Sequence, residues 1–122
     1  MPSRNPKSRF NDIIFNIERI MVYLEDYDFE RFLDDPRTID AVERCMQRIT
    51  EAAIKLQPQA AEFLPGQDWD AMRGFGNVLR HDYDVISERM IWDIAQDYLP
   101  GLLRDCQRVV EKLEADSRAG GT

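Results

Sequence analysis

A chain of 122 residues, 43% hydrophobic and 32% charged, is long enough to bury one core and too apolar to be wholly disordered. Its formal net charge of −7 excludes broad, sequence-independent adhesion to nucleic acid, which needs many Lys and Arg against phosphates, so any contact with RNA must be local. No apolar run approaches the roughly 20 residues that cross a bilayer, and Met1 to Arg9 lacks the apolar stretch of a secretory signal, so a cytoplasmic protein without membrane contact is expected.

In chain order, Ile13, Ile14, Ile17, Ile20, Met21 and Leu24 form one helical stripe and predict a first helix over Asn11 to Glu25. A short acidic and aromatic piece, Asp28 to Leu33, follows. Asp35-Pro36 then supplies a cap and a proline at the first helical position, and a long helix is predicted through Ile39, Val42, Cys45, Met46, Ile49, Ala53 and Leu56, ending before Pro58. Leu64-Pro65-Gly66-Gln67-Asp68 reads as a turn whose aspartate caps a helix from Trp69 to Asp84. A last helical region opens at Ser87 or Glu88 and runs through Ile91, Ala95, Tyr98, Leu102, Val109 and Leu113, with Pro100 kinking or splitting it. No segment alternates with period two, so the expected fold class is all-α, an up-and-down bundle of four or five helices. The domain is placed at residues 1–115, and the polar, glycine-containing 116–122 is expected to be a frayed tail.

Cys45 and Cys106 fall on apolar stripes, and the single histidine is too little to build a metal site with them; two buried free thiols are expected, and no metal. Trp69 and Trp92 read as core residues rather than base-stacking platforms. Basic residues gather at 73 to 81, with a second group, Arg4, Lys7 and Arg9, near the start.

On the helix from Trp69, Met72, Phe75, Leu79 and Tyr83 share a quadrant that faces a core, while Arg73, Asn77, Arg80, His81 and Asp84 share a separate arc of about 100°. Such a face suits phosphodiester chemistry. An imidazole can exchange a proton with a ribose 2′-hydroxyl or a leaving oxygen, a guanidinium stabilises charge on phosphorus-bound oxygens, and an amide fixes orientation. A solvated helix face of no catalytic consequence has the same composition.

The stretch from Trp69 to Tyr83 resembles the signature of the HepT-like HEPN family: an arginine, usually followed by asparagine, then four to six residues and His-x-Tyr. Asn77, His81 and Tyr83 match it. Asp40 to Leu56 resembles the family's long helix with its Gly-Glu-Ala element, here Thr50-Glu51-Ala52, and Ile91-Trp92-Asp93-Ile94 with Leu99-Pro100 resembles its closing helices. The likeness covers about Arg9 to Leu113. One residue departs from it: Gly76 stands where the family has its arginine, and Arg73 leaves seven residues before His81.

The resemblance implies a homodimeric, metal-independent RNA endonuclease with no cofactor. It further implies the toxin of a toxin-antitoxin pair, silenced when a nucleotidyltransferase antitoxin attaches AMP to Tyr83. His81 and Asn77 are the expected catalytic residues. Arg73, and after it Arg80, replaces the missing arginine by reaching into space left by Gly76, and Glu51 is a possible buried partner for a motif arginine. The alternatives are a catalytically impaired HEPN-fold protein that keeps its nucleotidyltransferase partner, and a helical adaptor.

Overall fold

Five of the helix starts are set by side chains that accept a backbone N–H three residues on, which satisfies an orphan donor of the first turn. In the computed structural model, which describes residues 5–120 apart from the side chain of Tyr83, Asn5 caps α1 (Pro6–Tyr23) by accepting from Ser8 at 2.9 Å. Asp28 caps α2 (Phe29–Leu33) and Asp35 caps α3 (Pro36–Lys55), accepting from Arg31 and Thr38 at 2.8 and 3.1 Å. After the short α4 (Gln59–Phe63), Asp68 caps α5 (Trp69–His81) at 3.0 Å from Ala71. Ser87 caps α6 (Glu88–Asp93) at 3.1 Å from Met90. The first helix begins five residues earlier than its apolar stripe suggests, because the Asn5-Pro6 pair repeats the cap-then-proline device of Asp35-Pro36.

The fold is all-α, with no strand among the described residues. Four long helical stretches make the bundle. α3 lies between α1 and α5, and the final helix, α7 (Leu99–Gly120), packs along α1. Phe10, Ile13, Ile17 and Ile20 of α1 meet Val42, Cys45, Met46 and Ala53 of α3 and Leu102 and Cys106 of α7 in one buried cluster. Truncating a side chain such as Ile17 to alanine there should cost about 2–5 kcal/mol. Both thiols are buried and free, and burial pushes that of Cys106 up to about 12. Trp69 is buried, and Trp92 is half-buried against Phe29 and Phe32.

Pro100 does divide the last helical region. Between α6 and α7 the chain makes one wider π-helical turn, Ile94–Tyr98, just ahead of the proline, whose missing N–H and ring cannot be accommodated by a regular preceding turn. Residues 116–120 continue α7 as an exposed helical end, while 121–122 lie outside the described residues. No helix of the described residues is long and apolar enough to cross a membrane.

Candidate functional site

α5 is anchored from beneath. Trp69, Met72, Gly76 and Leu79 are buried along one side, and Trp69 Nε1 donates to the Leu64 carbonyl at 2.9 Å, tying the first turn of α5 to the preceding loop. Asn77 and His81, one helical turn apart, are exposed, as is Arg80. The core face and polar face therefore divide as the periodicity predicts up to His81.

Beyond His81 the expectation fails. α5 ends there: Asp82 leaves the helix with φ −139° and ψ 38°, and Tyr83–Val85 form a separate 3₁₀ turn. Asp82 and Asp84 place negative charge at a helix C-terminus, where the peptide dipoles disfavour it, so further helix would bring like charges together. Asp84 is consequently no part of the polar arc, and Tyr83 lies beyond the end of the helix on which the quadrant was reckoned. The side chain of Tyr83 lies outside the described residues.

The expected vacancy at Gly76 is also corrected. Gly76 is buried where α5 crosses α3, and a Cβ built on it would lie 2.4 Å from Thr50 Oγ1 and 2.5 Å from Thr50 Cβ. Real Cβ atoms do not approach that closely, and the Thr50 Cβ is fixed to its own backbone. The space next to Gly76 is therefore filled by α3 and cannot receive an arginine from either side.

The two candidate arginines are placed differently. Arg73 is ion-paired with Asp70 at 2.5 Å, one turn back, its side chain only 18% exposed. Arg80 has no ion pair among the described residues and opens onto a groove between α1 and α3. Glu51 is exposed and pairs with Lys55 of its own helix at 3.5 Å, so it is not the buried partner of a motif arginine, although it lines the same groove as Arg80.

That groove, about 330 Å³, is the part of the site that the sequence did not reveal. Its α3 wall carries Arg44, Arg48 and Lys55, and its α1 wall carries Arg9 and Asn16. The signal was present in the spacing of Arg44 and Arg48, i and i+4 on one helical face, but only tertiary packing brings them to Arg9 and Arg80. Lys7, the neighbour of Arg9 in the N-terminal basic group, instead pairs with Glu114 at 3.1 Å; Arg4 lies outside the described residues. A second cavity of about 180 Å³, between α3, α5 and the last helices, is lined mainly by apolar side chains such as Met46, Met72, Phe75 and Leu102. Among the described residues no group of three or more His, Cys, Asp or Glu is gathered to hold a metal ion.

Comparison with known proteins identifies the family of the chain. The model of the family described as Ribonuclease HepT-like matches residues 13–109. A candidate RNase of Methanocaldococcus jannaschii is 28% identical over 116 residues, covering 95% of this chain and 96% of its own. The "Probable ribonuclease HepT" of Thermococcus cleftensis is 29% identical over 99 residues, covering 81% of this chain and 90% of its own. No solved structure matches the chain significantly.

Proposed function

Because the chain belongs to the HepT-like ribonuclease family, we propose that it is an RNA endonuclease whose reacting groups are His81, Asn77 and Arg80. The observation that carries this is the end of α5: an exposed imidazole and amide one turn apart, with Arg80 between them in sequence and facing a basic groove. In the reaction, the ribose 2′-oxygen bonds to phosphorus as the bond to the 5′-oxygen breaks. His81 takes the 2′-hydroxyl proton, and solvent or the second protomer of a homodimer returns one to the leaving oxygen. Arg80 meets the extra charge on the non-bridging oxygens, and Asn77 orients the phosphate or the imidazole. Arg73, held by Asp70, is displaced from first choice to a secondary role.

The same reading extends to regulation. A toxin of this kind acts in the cytoplasm and is silenced by a nucleotidyltransferase antitoxin that adds AMP to Tyr83. Two residues beyond His81, a bulky anionic nucleotide would block an RNA phosphate and repel it. Incubating the purified chain and His81→Ala with RNA tests the cleavage. Sedimentation tests the homodimer, which should weigh twice the chain.

A second reading is favoured by one specific observation. The position of the family arginine is occupied by a glycine locked against Thr50, so a catalytically impaired HEPN-fold protein that retains its nucleotidyltransferase partner is the outcome if wild-type protein leaves RNA intact while still binding that partner.

A further inference from the structure

The groove between α1 and α3 is chemically unlike the rest of the molecule. In a chain of net charge −7 it brings together five cations, Arg9, Arg44, Arg48, Lys55 and Arg80, against two acids, Asp12 and Glu51. The acids do not neutralise it. Glu51 is paired with Lys55, and Asp12 sits 3.7 Å from Arg9, which leaves a surplus of positive charge concentrated along α3 and at Arg80. Arg44 and Lys55 are eleven residues apart on the same helix, so the charged wall is about 16 Å long at 1.5 Å per residue. That length suits an extended chain of phosphates better than one anion.

A second observation is independent of the charge. Arg9 and Asn16, the latter only 5% exposed, line the groove, and two of their polar atoms, Arg9 Nε and Asn16 Oδ1, are buried without a hydrogen-bond partner among the described residues. Asn16 Nδ2 already donates to the Asp12 carbonyl at 2.8 Å. Buried polar groups are rarely left unmatched, so these two atoms call for a partner from outside the chain, an ordered water or a ligand group. One orphan is a donor and the other an acceptor. A phosphate oxygen can answer only the donor, whereas a ribose 2′-hydroxyl both donates and accepts.

We infer that this groove is the track along which single-stranded RNA lies as it leaves the catalytic end of α5, with Arg44, Arg48 and Lys55 against its phosphates and Arg9 and Asn16 against a ribose hydroxyl. The inference deepens the proposed ribonuclease reading and rests on it for the identity of the ligand. Arg80 joins the two, since it lies beside His81 in sequence and lines the groove in space. Base identity plays no part in such binding, which follows backbone charge.

The test uses the full chain carrying His81→Ala, so that RNA is not consumed, and a labelled single-stranded RNA of about 12 nucleotides, within the usual range for such grooves, beside DNA of the same sequence. Arg44→Ala/Arg48→Ala should weaken RNA binding at least tenfold and make the slope of log K against log salt shallower by about 1.4, the share of two phosphate contacts on a single strand. RNA should bind more tightly than DNA. Removing equal charge elsewhere, by Arg104→Ala/Arg118→Ala on α7, should leave binding unchanged. In protein with His81 intact, the groove variant should raise KM with little change in kcat.

An unchanged affinity and salt slope in the folded groove variant would overturn the track, as would an equal loss in the α7 control or displacement of the RNA by equimolar ATP. Equal affinity for RNA and DNA would overturn the ribose contact. The underlying reading fails separately. Wild type that binds RNA through Arg44 and Arg48 but never cleaves it keeps the track and loses the nuclease, while cleavage with unaltered KM in the groove variant does the reverse.

Discussion

Gly76 of α5 and Thr50 of α3 occupy one another's space: a Cβ on the glycine would fall 2.4 Å from the threonine hydroxyl. The resemblance to the family pattern implies the opposite sizes at these two positions, a glycine at the start of the Gly-Glu-Ala element and an arginine before the motif asparagine. A glycine inside a helix ordinarily costs about 1 kcal/mol relative to alanine, but here Gly76→Ala should destabilise by about 1–3 kcal/mol through overpacking, and Gly76→Arg by more. Adding Thr50→Gly should recover most of the overpacking loss. Chemical denaturation of the single and double variants checks this; additive losses would show that the two residues do not compete for space.

Cleavage should depend unequally on the basic residues of α5. His81→Ala is expected to abolish RNA cleavage while leaving thermal stability nearly unchanged, since the imidazole is exposed at a helix end. Arg80→Ala should lower kcat by about 10² to 10³, as for loss of one transition-state donor. Arg73→Ala should have a smaller effect, because that guanidinium is engaged by Asp70. Single-turnover cleavage of a defined RNA ranks the three, and an Arg73 effect larger than that of Arg80 would reverse their assignment.

Modification should map to a single tyrosine. Protein co-expressed with a nucleotidyltransferase encoded alongside is expected to gain mass in multiples of one AMP, and Tyr83→Phe should remove the adducts. Peptide mass spectrometry that places them elsewhere would separate regulation from the His-x-Tyr element.

Acid should weaken the α2–α3 corner in a defined direction. Tyr27 donates to the Asp35 carboxylate at 2.5 Å, and the Thr38 hydroxyl donates at 2.7 Å, holding Asp35 down from 3.8 to about 2. A folded value below the unfolded one adds stability above the ordinary carboxylate range, and that stability disappears as pH falls towards 2. Asp35→Asn should therefore melt at lower temperature than wild type at pH 6, with the difference narrowing by pH 2. A gap that stays constant with pH would mean that the charge of Asp35 is not what these hydroxyls hold.

Most of the helix boundaries were legible because they are local. Asp35-Pro36, Asp68 and Ser87 announce their helices within four residues, and the structure keeps each cap. The end of α5 was missed because amphipathic spacing carries on through Tyr83 while the acids at 82 and 84 oppose further helix, and periodicity weighs only the first. Gly76 was misread for a different reason. A rotation estimate gives the direction of a residue but not what stands opposite, and Thr50 is 26 positions away in the chain. The groove escaped for the same cause, since Arg9, Arg44 and Arg80 converge only when three helices pack.

The wide turn at Ile94–Tyr98 resets the phase of what would otherwise be one continuous rod. Before it, Trp92 packs against Phe29 and Phe32 of α2; after it, Leu102 and Cys106 join the cluster that α1 lines. Each half answers to its own neighbour, and the junction between them is the one departure from regular α-helix within residues 88–120. Phe32 and Ile91 nevertheless belong to the same buried cluster as α1, α3 and α7, so the change of phase lets one helical stretch serve two neighbours without parting them.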